Sequence, residues 1–143
     1  MSGHLLIVDD EAENRKMLSR YFRFEGYTVV TASDGLDALE KFEDNRFDVV
    51  ISDIMMPKMN GIDLLKELRQ QYPMVHVIMI TGYVSMENGL AAMRYGADTI
   101  IFKPIKDMDV LHLVVKDAIA KLESWMVLLK ELNALKPLSK VTS

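Results

Sequence analysis

Five side chains in this sequence are of the kinds that handle phosphorus or a hard metal ion, and they fall at four separate places: Asp9 and Asp10 within the acidic trio Asp9-Asp10-Glu11, then Asp53, Thr81 and Lys103. Carboxylates brought close to one another repel and raise each other's pKa. A hard divalent cation relieves that repulsion, and magnesium takes its ligands from a few carboxylates and water. Beside such a cation Asp53 can stay ionised and act as a nucleophile towards phosphorus. Lys103 and Thr81 would then serve a transferred phosphoryl group as charge stabiliser and hydrogen-bond donor. Each residue taken singly has a plainer reading. An Asp after a strand can cap a helix or sit in a turn, an acidic trio can favour a helix N-terminus, and Lys103 can be a solvated charge. What favours the chemical reading is coincidence of position.

That position depends on the elements around each residue. Short β-branched runs alternate with amphipathic segments five times. Strands are expected at Leu5–Val8, Thr28–Ala32, Asp48–Ser52, His76–Ile80 and Thr99–Phe102. Between them, apolar residues at helical spacing predict helices burying Met17, Leu18, Tyr21 and Phe22, then Leu36, Leu39 and Phe42. The next two are predicted to bury Ile62, Leu65 and Leu68, then Leu90, Ala91 and Met93. Gly26, Pro73 and Gly96 mark helix ends, and Ser85 is a candidate cap. Near-continuously apolar strands separated by single helices imply an α/β (βα)5 doubly wound parallel sheet covered on both faces. Right-handed crossovers put all strand C-termini on one edge, where ligands of such sheets bind. Asp9 and Asp10 end the first strand, Asp53 the third, Thr81 the fourth and Lys103 the fifth.

Composition narrows the alternatives. At 143 residues, half of them apolar and 27% charged, the chain suits one domain with a short appendage. A formal net charge of −4 argues against a nucleic-acid surface or a polybasic membrane patch. There is no cysteine, hence no disulfide or thiolate metal site, and no apolar run of membrane-spanning length. These features lead us to expect a soluble, cytoplasmic protein. The acidic trio stands where a dinucleotide or P-loop enzyme would carry glycines. His4, His76 and His112 lack ligand spacing and are expected at strand starts or on the surface. The methionines are expected to fill gaps under the loops.

The sequence resembles the receiver domains of two-component response regulators over residues 3–122. The resemblance is carried by Leu-Ile-Val-Asp-Asp-Glu (6–11), Asp53-Ile-Met-Met-Pro-Lys-Met-Asn-Gly61, Ile80-Thr81-Gly82, Gly96-Ala97-Asp98 and Lys103-Pro104. It implies a flavodoxin-like strand order 2-1-3-4-5. Asp53 would accept a phosphoryl group from a phosphohistidine on a sensor histidine kinase or phosphotransfer protein. Mg²⁺ would be held by Asp10, Asp53 and the backbone carbonyl of Met55, with Asp9 acting through water. Thr81, the Gly82 N–H and Lys103 would contact the phosphoryl oxygens. The Lys103–Pro104 bond would be cis. Movement of Thr81 would reshape the face formed by the fourth helix, fifth strand and fifth helix. Such a protein is a phosphoacceptor regulator that catalyses its own Mg²⁺-dependent phosphorylation and dephosphorylation, not a conventional enzyme. One departure stands out. The family's usual aromatic residue three before the lysine is Ile100 here, and Phe102 is expected on the opposite sheet face. Ile100 favours an alternative function, a phosphorylation-independent interaction and dimerisation module.

From Asp107 to about Leu135 nothing breaks a helix, which at 1.5 Å per residue would extend roughly 43 Å. Met108, Leu111, Val115, Ala118, Leu122, Trp125, Leu129 and Leu132 advance in alternating steps of three and four, a coiled-coil spacing. The expected division is therefore a receiver domain at 1–122, a helical extension at 123–136 and a disordered tail at 137–143. The extension, or the face of helix four, strand five and helix five, is expected to pair with a second copy.

Overall fold

A computed structural model describes residues 3–135, so the tail expected at 137–143 lies outside the described residues. The chain runs β1 (His4–Val8), α1 (Ala12–Phe24), β2 (Thr28–Ala32), α2 (Gly35–Asp44), β3 (Val49–Ser52), then α3 (Gly61–Gln71). β4 (His76–Thr81), α4 (Met86–Arg94), β5 (Thr99–Phe102) and α5 (Met108–Ala134) follow. All pairings are parallel, and the sheet order is β2-β1-β3-β4-β5. This is the expected α/β receiver architecture. Among the described residues no helix is long and apolar enough to cross a membrane.

Two-residue alternation divides the strands between two cores. Leu6, Val8, Val50, Val77 and Met79 pack with residues of α2, α3 and α4. Leu5, Ile7, Val49, Ile51, Ile78 and Ile80 pack on the other face with Leu18 and Phe22 of α1 and Leu111, Val115 and Ala118 of α5. The caps follow from local chemistry, since Asp34, Asn60, Ser85 and Asp107 each accept a hydrogen bond from a backbone N–H in the first turn of the helix they precede.

Several helical faces differ from the expected ones. Met17, Leu36, Leu90 and Met93 are exposed, while Ala38 and Ala92 are buried. Ala38 lets the α2 backbone approach β1 and β2 closely, α4 packs against α3 with Ala92 in the core, and the larger neighbours are turned outward. Ile100 packs with the α2–α4 core and Ile101 with the other. Two-residue alternation puts Phe102 in phase with Ile100, which corrects the expectation of opposite faces; Phe102 is exposed because the strand ends there. His112 is buried rather than superficial. Its Nε2 lies 3.0 Å from the Tyr27 hydroxyl and its Nδ1 3.4 Å from that of Tyr21, tying α5 to α1 and the start of β2. α5 is buried at Leu111, Val115, Ala118 and Ile119, but Trp125, Leu129 and Leu132 are exposed. Its first half therefore packs on the sheet and its second half does not.

Gly61 fixes the loop after β3. Its N–H donates to the Ile54 carbonyl at 2.8 Å. A Cβ there would collide with the carbonyl oxygen of Asp53 and stand 2.9 Å from the Ile54 Cα. Both obstacles are backbone, so neither can swing aside. Gly61→Ala is therefore expected to lower unfolding stability in urea by about 2–3 kcal/mol. An unchanged midpoint would show that the loop yields freely.

Candidate functional site

Register aligns the acids. Val8 pairs with Ser52, and the next residues, Asp9 and Asp53, leave the two strands side by side. The Asp53 N–H donates to the Val8 carbonyl at 2.9 Å, and the Asp9 N–H donates to that of Ala32 at 3.1 Å. Both side chains are buried, whereas Asp10 and Glu11 are exposed. One carboxylate oxygen from each of Asp9, Asp10, Glu11 and Asp53 can be chosen so that all lie within 4.8 Å of one another.

β5 delivers the cation. Lys103 Nζ stands 2.7 Å from Asp53 Oδ2, 3.0 Å from Asp9 Oδ2 and 3.2 Å from Glu11 Oε1. Its own N–H donates to the Thr81 carbonyl at 2.8 Å, and the Lys103–Pro104 peptide is cis. Burial alone would push the Lys103 ammonium down. The hydrogen bonds and charges of Asp53 and Asp9 together outweigh that, and hold it above the ordinary lysine range. Burial pushes the Asp9 carboxyl up, against the opposing pull of the Glu11 N–H and Lys103.

The remaining expected residues lie on the same edge, with different contacts. Thr81 is buried at the end of β4, and its hydroxyl donates to the Tyr83 carbonyl at 2.8 Å within its own turn. The Met55 N–H donates to Asp53 Oδ1 at 3.3 Å. Gly82 is exposed beside Thr81. Two contributors had no assigned role in the sequence reading. Glu11 shares Lys103 with the two aspartates. Arg15 Nη1 donates to the Asp9 carbonyl at 2.6 Å and steadies the loop from α1. Spacing offered one hint, since Arg15 follows Glu11 by one helical turn.

The raised Asp9 pKa sets a sign for stability. The folded state holds this proton more tightly than the unfolded chain, so the group's contribution falls as pH rises from the ordinary 3.8 through the folded value. In EDTA, Asp9→Asn is expected to gain stability relative to the parent at neutral pH, with the gap closing at acid pH. A gap that widens on acidification would contradict this.

The description "response regulator receiver domain" belongs to the family model that matches residues 5–116. Regulatory protein AtoC of Escherichia coli (strain K12) is 42% identical over 117 residues, covering 82% of this chain and 25% of AtoC. Transcriptional regulatory protein ZraR of Klebsiella oxytoca is 38% identical over 123 residues, covering 84% of this chain and 28% of ZraR. This chain thus spans about a quarter of the length of these two relatives. Among solved structures, a CheY-like receiver domain protein from Methanospirillum hungatei JF-1 superposes with a TM-score of 0.80 at 31% identity, covering 87% of this chain and 99% of that one. TrrA from Thermotoga maritima, solved in complex with Mg(2+)-BeF, gives 0.73 at 33% identity, covering 81% and 98%. With this fold and these relatives, the chain belongs to the response regulator receiver domain family.

Proposed function

We propose that this receiver accepts a phosphoryl group onto Asp53 from a phosphohistidine of a sensor histidine kinase or phosphotransfer protein. A carboxylate oxygen of Asp53 attacks phosphorus, the P–N bond breaks, and the leaving imidazole nitrogen takes a proton. The observation that carries this reading is the 2.7 Å contact between Lys103 Nζ and Asp53 Oδ2 inside a cluster of acids at the strand ends. Lys103 holds that oxygen in place and offsets charge on the incoming phosphoryl oxygens.

The donor set suits a hard cation, because carboxylates and a backbone carbonyl offer only oxygen. Asp10, Asp53 and the carbonyl of Met55 would hold Mg²⁺, with Asp9 acting through water. The relative TrrA was solved with Mg(2+)-BeF, which supports this choice. Bound magnesium would neutralise charge at the acids and at the phosphoryl oxygens. Thr81 would leave the Tyr83 carbonyl and turn to the phosphoryl group, joined by the Gly82 N–H. With Ile100 in place of an aromatic, the change reaches the α4–β5–α5 face by aliphatic repacking.

Incubation with acetyl phosphate and Mg²⁺, read by intact mass, tests the proposal. The parent is expected to gain one phosphoryl group, Asp53→Asn none, and Lys103→Ala to react roughly 100-fold more slowly. A parent that gains none would favour the phosphorylation-independent interaction module, to which Ile100 points.

The second half of α5 suggests a partner. Trp125, Leu129 and Leu132 continue the three-and-four spacing and are 55%, 48% and 56% exposed, an apolar stripe costly to leave in water. We read residues 123–134 as a linker helix that pairs with a second copy; residue 136, the end of the expected extension, lies outside the described residues. The named functions of AtoC and ZraR suggest transcriptional control for a longer protein, with any DNA contact made by parts beyond this receiver. Light scattering is expected to give the mass of two chains for the parent and one for Trp125→Glu/Leu129→Glu. A single-chain parent at high concentration would refute pairing. A double variant that still dimerises would move the interface to the α4–β5–α5 face.

A further inference from the structure

The net charge of −4 conceals a local excess of the opposite sign. Arg15, Lys16, Arg20 and Arg23 all lie on α1, and among the described residues none has a carboxylate within 4.0 Å. Between this part of α1 and the edge strand β2 lies a groove of about 500 Å³, lined by these four side chains with Ser19 and Thr31. Thr31 shares the alternation phase of Val29, which packs towards α1, so strand and helix both face the groove.

Two features separate this groove from an ordinary solvated helix face. The first is Ser19. It is 5% exposed, it belongs to the lining, and its Oγ is the one buried side-chain polar atom without a hydrogen-bond partner among the described residues. Buried hydroxyls are normally satisfied. The second is the state of the arginines. Arg15 uses Nη1 on the Asp9 carbonyl and Arg23 uses Nη2 on the Val29 carbonyl. Each guanidinium is thereby held in place while its other N–H groups remain available, and a planar guanidinium matches phosphate oxygens in pairs.

We propose that this α1–β2 groove binds a small ligand carrying two or more phosphate groups, of about nucleotide size. The volume falls in the range of small-molecule sites. Four cations call for more than one negative charge, and Ser19, whose hydroxyl has no partner, lies in the lining beside them. The site is separate from Asp53, and Arg15 bridges the two through the Asp9 carbonyl.

Calorimetric titration of the full chain with pyrophosphate, ATP and GTP tests this. EDTA at low ionic strength keeps metal-bridged phosphate off the acidic cluster and limits screening. At least one probe is expected to saturate a single site, with affinity falling about tenfold in Lys16→Gln/Arg20→Gln and several-fold in Ser19→Ala. Both variants should still be labelled by acetyl phosphate at the parent's rate, which confirms an intact fold and separates this site from the phosphoacceptor. No saturation by any probe up to about 1 mM, or equal affinity in parent and both variants, would overturn the proposal. So would binding only of a polyglutamate peptide or an oligonucleotide, which would assign the groove to a macromolecule.

Discussion

One ammonium set against three carboxylates is the interaction on which the strand-end arrangement depends. Asp9 and Asp53 come from neighbouring strands, and their burial would be untenable for two like charges without a counter-ion. The counter-ion comes from β5, two strands away from β3 and hence about 10 Å across the sheet. Lys103 therefore has to pass over the end of β4. The residue there is Thr81, a small side chain folded back on its own turn. A bulkier residue at that position would obstruct the lysine and leave the acids uncompensated.

The backbone meets the same requirement from below. Parallel pairing in matched register brings Asp9 and Asp53 level, and the Val8 and Ala32 carbonyls anchor their N–H groups. Gly61 lets the start of α3 close against the Asp53 carbonyl. Arg15 holds the Asp9 carbonyl from the other side. Little about the two buried carboxylates is left to side-chain choice, because the main chain on either side of each is bonded in place.

Much of this was legible in the sequence because it rests on periodicity and on strand ends. Apolar runs such as Leu5–Val8 and Val49–Ile51 can be buried on both faces only in a covered parallel sheet. That topology alone puts Asp9, Asp53, Thr81 and Lys103 on one edge. Features that rest on packing between elements were not legible. Ala92 rather than Leu90 or Met93 faces the core on α4, which packs against α3, and a hydrophobicity pattern ranks the three the other way. His112 is buried because two tyrosine hydroxyls from α1 and the start of β2 reach it, contacts spanning 91 and 85 residues. Arg15 and Ser19 look like ordinary helix-surface residues until β2 is placed beside them.

α5 follows the cis Lys103–Pro104 bond and continues unbroken for 27 residues, of which only the first half is seated on the sheet. A helix of that length is a stiff rod of about 40 Å. Its clamped part starts a few residues from the lysine, and the part beyond residue 122 is exposed. A bend of about 10° near residue 122 would sweep the far end, roughly 18 Å further on, through about 3 Å. A small change of angle there would thus re-space whatever is fastened to the end of the rod.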